Sequence, residues 1–433
     1  MSHQTEKTRE LVLWFFLPVL FSLLFARLIF FQITEADFSF DKIENRISQS
    51  KVIKSSRGKI VDRNDRILAE DIIFYDIGID LNYFSYKPDE IKFISDLLNI
   101  EEQNLRERSS NQRLKFIQIS KKVNREKAEA LKKEKIQGLV FDERFHRNYP
   151  EGEAFSQLIG ITDINNDGLQ GIELSFQKSL DSSDGRIDFK RDGNGKIIEE
   201  VIVPEKDGDL IKLSIDSDYQ FIVFDELKRA VIENNASNAS AIMIDLDTEE
   251  ILAITNYPSF NPNDRKSLSD ISLVTNKASI SLLEPGSVLK PLSISLALDD
   301  ELINEDTLID TNPGWVEFED YRTEDFRNYG IISVSEVIAK SSNVGTVKIC
   351  SQMNKSRVIS GIRSFGIGEY FSEMFLNHRE GFLPGEQNIS LRGLVSLCYG
   401  YGLQTTLLHI AKAYTGILND GIEANLKLSL IHI

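Results

Sequence analysis

The sequence is poor in cysteine, in basic charge and in repeats. Two cysteines, Cys350 and Cys398, occur in 433 residues. They lie far apart and in no metal-ligand spacing, which argues against a zinc site or a disulfide framework and reads as two buried thiols. An excess of Lys and Arg is missing: the formal net charge is −17. A broad phosphate-binding surface needs clustered positive charge, so nucleic acid is excluded as a partner. No repeat of 20 to 50 residues and no low-complexity tract is present beyond one apolar run, which removes solenoids and propellers. The length allows two or three folded units, each with its own core.

That apolar run is the clearest compositional event. "LVLWFFLPVLFSLLFARLIFFQI", residues 11–33, is interrupted only by Ser22, Arg27 and Gln32. At about 1.5 Å per residue it spans a hydrocarbon core of roughly 30 Å. It is long for a signal peptide and no small-x-small cleavage site follows, so it reads as an uncleaved transmembrane anchor behind a cytoplasmic tail, residues 1–10. Residues 34–50 read as a polar, helical stalk.

Beyond the anchor, "SSRGKIVDRNDRILAED" has a turn at Arg57-Gly58 followed by short strand-like alternation. From about 86 to 137 the spacing predicts helices, in "PDEIKFISDLLN" and "NREKAEALKKEK". Pro, Gly and charge concentrate near 205–212, where the main boundary is placed. The second half opens with the amphipathic "IDSDYQFIVFDELKRAVIE" and with "ASAIMIDLDTEEILAITNYPSF", which reads as two antiparallel strands joined at Asp247–Glu250.

Chemistry enters at "EPGSVLKP", residues 284–291. Ser287 and Lys290 share a helical face at i and i+3 spacing, which can bring hydroxyl and amine within hydrogen-bond reach. Pro291 has no N–H and fits only the first turn, so the helix begins close to Ser287. Free N–H groups there favour an oxyanion, and desolvation beside the positive helix end favours a neutral, basic lysine. Ser-x-x-Lys also occurs at Ser48/Lys51 and Ser175/Lys178, and an ordinary helix cap with a solvated lysine explains most such matches. A second element separates this case from those: "KSSNVGTVKI" supplies Ser341, Ser342 and Asn343 after a run with helical spacing. Ser-x-x-Lys followed by a Ser-x-Asn triad is the signature of serine acyltransferases that bind penicillin.

On these residues the chain resembles the class B penicillin-binding proteins, and the likeness extends over most of its length. "RGKIVDRNDRILA", with Asp65 at a usual glycine, and "RNYPEGEAF" and "GLQGIELSF" are similar to family blocks; so are "TEEILAITNYPSFNPN", with Glu249 at a usual glycine, and "YGYGLQTTLLHIAKAY". Glu284 before Pro-Gly-Ser resembles the division-type, FtsI-like branch. The resemblance implies a transmembrane helix, an α+β non-catalytic pedestal or dimerisation module (34–207) and an α/β transpeptidase domain of serine β-lactamase type (208–433), an antiparallel sheet flanked by helices. It also implies a periplasmic peptidoglycan D,D-transpeptidase of the bacterial inner membrane. In it Ser287 is the nucleophile, Lys290 the base, Ser341 the proton relay to the leaving amine, and Asn343 the holder of substrate amide and Lys290, with Gly286 and Ser342 at the substrate. Implied partners are stem peptides and lipid-linked precursor products, β-lactams, an FtsW-like glycosyltransferase and other division proteins; no metal or cofactor is implied. The family's third motif, Lys-Thr/Ser-Gly on an edge strand, does not occur after Gly402. The sheet is therefore expected to be incomplete at the C-terminus and the 433-residue chain inactive, either from an incomplete reading frame or as a division protein that lost its strand. An elongation-type enzyme and a catalytically incomplete scaffold remain alternatives.

Overall fold

The computed structural model describes residue 14 and residues 16–430 apart from 31–47, 86, 111–113, 192–196, 265–269, 319–320 and 371–377. Two compact units emerge: residues 1–55 with 182–207, and residues 56–181 with 208–433. The chain passes between them three times, at 55/56, 181/182 and 207/208.

In the first unit, residues 16–30 are helical, and their apolar side chains, Phe16, Leu20, Phe21 and Leu24 among them, are exposed. No helix among the described residues is long and apolar enough to cross a membrane; the ends of the span read at 11–33 lie outside the described residues. The unit also holds an antiparallel three-stranded sheet in the order Ser48–Ile53, Gly185–Arg191, Ile197–Val203. Residues 48–50, expected from sequence to end a helical stalk, are thus strand, because a partner strand supplies their backbone hydrogen bonds; residues 34–47 lie outside the described residues.

In the second unit, strand β1 (Ile60–Val61) pairs with the start of the long β2 (Ile67–Asp80). The rest of β2 is flanked by β3 (Phe116–Asn124) and β4 (Leu139–Asn148), and β5 (Ile211–Lys212) runs parallel to β1. Helices α1 (Pro88–Leu98) and α2 (Arg125–Lys133) bury Ile91, Ile94 and Leu131 against Ile77, Ile79 and Ile117. The helical reading of 86–137 is corrected at β3. Ile117 and Ile119 alternate with exposed neighbours, and pairing with β2 outweighs the helix-forming residues on either side.

Blocks distant in sequence meet in a buried polar cluster. Glu173, with no solvent exposure, accepts from Arg57 Nε (2.7 Å) and Arg147 Nε (2.7 Å). Asp71 accepts from Arg147 (3.3 Å) and from the Arg57 N–H (2.9 Å), while Arg147 also donates to the Gly58 carbonyl (2.8 Å). Burial pushes the Asp71 carboxyl above its ordinary range, against the pull of Arg147.

Helix α3 (Ser217–Glu233) starts at the cap Asp216 and packs on the antiparallel hairpin β6 (Ala239–Asp245) and β7 (Glu250–Tyr257). The hairpin lies where its alternation placed it. Glu249 (φ 62°) and Asp65 (φ 65°), the two residues standing at usual glycines, both adopt left-handed backbone, so the glycine preference at these turns is conformational. Residues 427–430 run between β5 and β7: the Ser214 N–H donates to the Leu428 carbonyl (2.9 Å) and the Ile251 N–H to the Lys427 carbonyl (2.9 Å), with Leu426 and Leu428 buried.

Candidate active site

The turn that carries Ser287 is built against the "YGYG" block. Gly286 to Leu289 form a 3-10 turn that continues into α4 (Lys290–Asp299), with Pro291 in the first turn as its missing N–H requires. Leu283 and Thr405 exchange backbone hydrogen bonds (2.9 and 3.0 Å), and the Gly286 N–H donates to the Gly400 carbonyl (2.9 Å). The Gly402 N–H donates to Glu284 Oε1 (2.8 Å). Behind the serine, the Tyr414 hydroxyl of α7 (Leu407–Leu418) donates to the Val288 carbonyl (2.7 Å). Gly400 sits at φ 90°, and a Cβ there would lie 2.0 Å from the Gly286 carbonyl oxygen. Gly400→Ala is expected to cost about 1–3 kcal/mol in urea unfolding. By displacing Ser287 it should also slow β-lactam acylation roughly 10²-fold.

Ser287 is exposed, and its hydroxyl bonds to no described residue. Lys290 is 1% exposed and donates from Nζ to the Ser341 carbonyl (2.6 Å) and Ser341 Oγ (3.0 Å). Burial lowers its pKa to about 8, with the Asp325 charge pulling the other way. The ammonium is thus drawn to the Ser341 turn rather than to Ser287; in ligand-free sites such bonds often tighten only with substrate bound. Ser341 itself is exposed and held at φ 53°, a costly conformation for a serine that presents both its carbonyl and its hydroxyl to Lys290.

The other two residues of the triad behave differently. Ser342 has no solvent exposure: its hydroxyl donates to Asp325 Oδ2 (2.7 Å) and accepts from the Gly345 N–H (2.8 Å), capping α5 (Asn343–Cys350). Ser342, read as a substrate contact, thus has its hydroxyl in the interior. Asn343 is half-buried and donates from Nδ2 to the Glu324 carbonyl (2.9 Å) rather than to Lys290. Gly286, beside Ser287, is partly exposed with φ 60°. Of the competing pairs, Ser48 and Lys51 lie on a strand, and Ser175 and Lys178 on two successive short helices, Gly171–Ser175 and Gln177–Leu180. The sequence reading gave Tyr414 no role and passed over Asp325, which carries no local signal that separates it from the other acidic residues.

The two cysteines are buried, but not as thiols. Cys350 at the end of α5 and Cys398 at the end of α6 (Leu391–Cys398) form a disulfide with Cα atoms 6.4 Å apart. Their separation of 48 positions hid the pairing, since only the packing of α5 on α6 brings them together. The bond joins the helix that begins at Asn343 to the helix that leads into Tyr399–Gly402. Cys350→Ser/Cys398→Ser is expected to lose about 2–4 kcal/mol in urea unfolding relative to the oxidised protein.

Known proteins share the two domains and the fold. The family model for the penicillin binding protein transpeptidase domain matches residues 239–430, and that for the penicillin-binding protein dimerisation domain matches residues 52–213. Peptidoglycan D,D-transpeptidase FtsI of Buchnera aphidicola subsp. Schizaphis graminum is 33% identical over 409 residues, covering 93% of this chain and 72% of the relative. FtsI of Escherichia coli K12 is 30% identical over 415 residues, covering 94% and 70%. Penicillin binding protein 2X from Streptococcus thermophilus shares the fold with a TM-score of 0.74 at 22% identity, over 88% of this chain and 61% of that one. A peptidoglycan synthetase from Bifidobacterium adolescentis does so with a TM-score of 0.68 at 20% identity, over 88% and 75%. With a dimerisation and a transpeptidase domain in this order and such relatives across most of its length, the chain belongs to the penicillin-binding protein transpeptidases, among proteins named FtsI.

Proposed function

We propose that the protein is a septal peptidoglycan D,D-transpeptidase acting in cell division and inhibited by β-lactams. The observation that carries this reading is Lys290, buried, poised near neutrality and bound to Ser341, three residues from an exposed Ser287 on a braced turn. Neutral Lys290 takes the Ser287 proton as Oγ attacks the D-Ala-D-Ala amide carbon, and the free N–H groups of the turn favour the oxyanion. Ser341 Oγ passes a proton to the amide nitrogen, the C–N bond breaks, and D-Ala leaves as a neutral amine. An amine of a neighbouring strand then attacks the ester, loses its proton to the same relay and restores Ser287. A β-lactam enters the same sequence, but its leaving nitrogen stays tethered in the opened ring.

The test is mass spectrometry after exposure to a fluorescent penicillin, on the 433-residue chain and on a chain continued through a Lys-Thr-Gly strand. The continued chain is expected to carry the adduct on Ser287 alone and to lose it in Ser287→Ala, with the 433-residue chain labelling weakly or not at all. An adduct that survives Ser287→Ala overturns the reading. A folded, continued chain that never labels favours a division scaffold.

Residues 11–33 are proposed to anchor the chain in the inner membrane, with the remainder periplasmic. The exposed apolar helix at 16–30 and the Cys350–Cys398 disulfide, a bond typical of oxidising compartments, support this. Protease added to spheroplasts should digest the bulk of the chain; full protection would refute the topology. Residues 50–205 are proposed to dock division partners, chiefly an FtsW-like glycosyltransferase, so that unimpaired septation after their deletion would count against the assignment.

A further inference from the structure

The Ser341–Asn343 turn is held from one side by two consecutive residues. They stand at the end of the hairpin formed by β8 (Trp315–Phe318) and β9 (Tyr321–Glu324). The Glu324 carbonyl accepts from Asn343 Nδ2 (2.9 Å). Asp325 takes the two bonds that follow: Oδ2 accepts from the Ser342 hydroxyl (2.7 Å) and Oδ1 from the Val344 N–H (3.0 Å). Asp325 is itself placed by its N–H on the Gly314 carbonyl (2.9 Å). The residues of the turn thus act differently: Ser341 holds Lys290, while Ser342 and Asn343 tie Ser341 to the hairpin.

We propose that Asp325 is a positioning residue for acyl transfer: its carboxylate fixes the Ser341 turn through Ser342 and Val344, and with that turn the carbonyl and hydroxyl that hold Lys290. This rests on the reading of Lys290 as the base. Two physical consequences follow from one side chain. First, the left-handed conformation at Ser341 is maintained because the residues after it are bonded at both side chain and backbone, which supplies the over-determination that a strained serine needs. Second, Asp325 opposes desolvation and so keeps Lys290 within reach of both protonation states near neutral pH. Most charged groups on the helices packed against α4 are engaged elsewhere, and Arg363 is exposed. Lys348 of α5 donates to the Asp310 carbonyl, Arg357 pairs with Asp299 and Asp300, and Lys412 of α7 pairs with Glu423.

The test needs no turnover, so it separates this inference from the proposed reaction. The full chain, labelled with 13Cε-lysine, is titrated by NMR in detergent, and the Lys290 resonance is assigned by its loss in Lys290→Arg. The unaltered chain is expected to titrate near about 8. In Asp325→Asn, with its fold checked by thermal unfolding, the midpoint should drop, and amide exchange at Val344 should quicken roughly tenfold; Asp325→Glu should restore the midpoint. Should Asp325→Asn fail to fold, Ser342→Ala removes one of the carboxylate's two donors, and faster Val344 exchange with a displaced Lys290 midpoint is expected there. An unmoved midpoint in a folded Asp325→Asn, or unchanged exchange and midpoint in Ser342→Ala, overturns the proposal.

Discussion

Lys290→Ala is expected to slow acylation of Ser287 by a β-lactam by about 10²–10⁴-fold, the usual worth of a general base. The loss should be in the rate of acylation and not in the site labelled. In the unaltered protein the same lysine is expected to set the pH dependence. Only its neutral form can accept the serine proton, so the rate should rise with pH and level off above a midpoint near about 8. An ordinary lysine titrates near about 10.4, and burial therefore raises the neutral fraction at pH 7 by roughly two orders of magnitude. Stopped-flow acylation from pH 5.5 to 9.5, on a chain continued through a Lys-Thr-Gly strand, gives both readings. A profile that is flat across this range, or one that keeps its shape in Lys290→Ala, would remove the lysine from the role of base.

Glu173→Ala should be the most damaging substitution outside the active site. The carboxylate has no solvent exposure and is bonded to two guanidiniums, Arg57 and Arg147, that are themselves buried. Its removal leaves Asp71 as the carboxylate partner of Arg147 and takes from Arg57 its carboxylate. Breaking a buried pair in this way costs about 3–5 kcal/mol, because an uncompensated charge stays in the interior. Urea unfolding should register that loss. A change below about 1 kcal/mol would mean that water reaches the cluster once the side chain is gone. Glu173→Gln keeps the shape while removing the charge, and should fall between the two.

The candidate site was legible in the sequence as far as its parts are local. Ser287, Lys290 and Pro291 lie within one turn and a half of helix, so their spacing alone places the serine at the start and the lysine on its face. Helix α3 and the β6–β7 hairpin were visible through periodicity, which is also a property of neighbouring residues. The Ser341–Asn343 triad could be found by its order after Ser-x-x-Lys. What each member does could not: whether Ser342 faces a cleft or the interior depends on the hairpin ending at Glu324, which closes over it from elsewhere in the chain.

The remaining features were decided by tertiary structure, for one physical reason. Strand β3 exists because β2 offers it hydrogen-bond partners, although helical segments flank it on both sides. The disulfide exists because α5 and α6 pack with their C-terminal ends together, and no spacing between two lone cysteines encodes that approach. Arg57, Asp71, Arg147 and Glu173 are ordinary charges in sequence, and become an interior cluster only when blocks up to 116 positions apart converge. Asp325 acquires its place against Ser342 and Val344 in the same way. The sequence by itself determined the local elements, the spacing of Ser287 and Lys290 and the order of the family blocks, all of which rest on residues a few positions apart. Which charges are buried, which cysteines meet and which side chains brace the site depend on long-range packing, whose energies are set by partners that no local window contains.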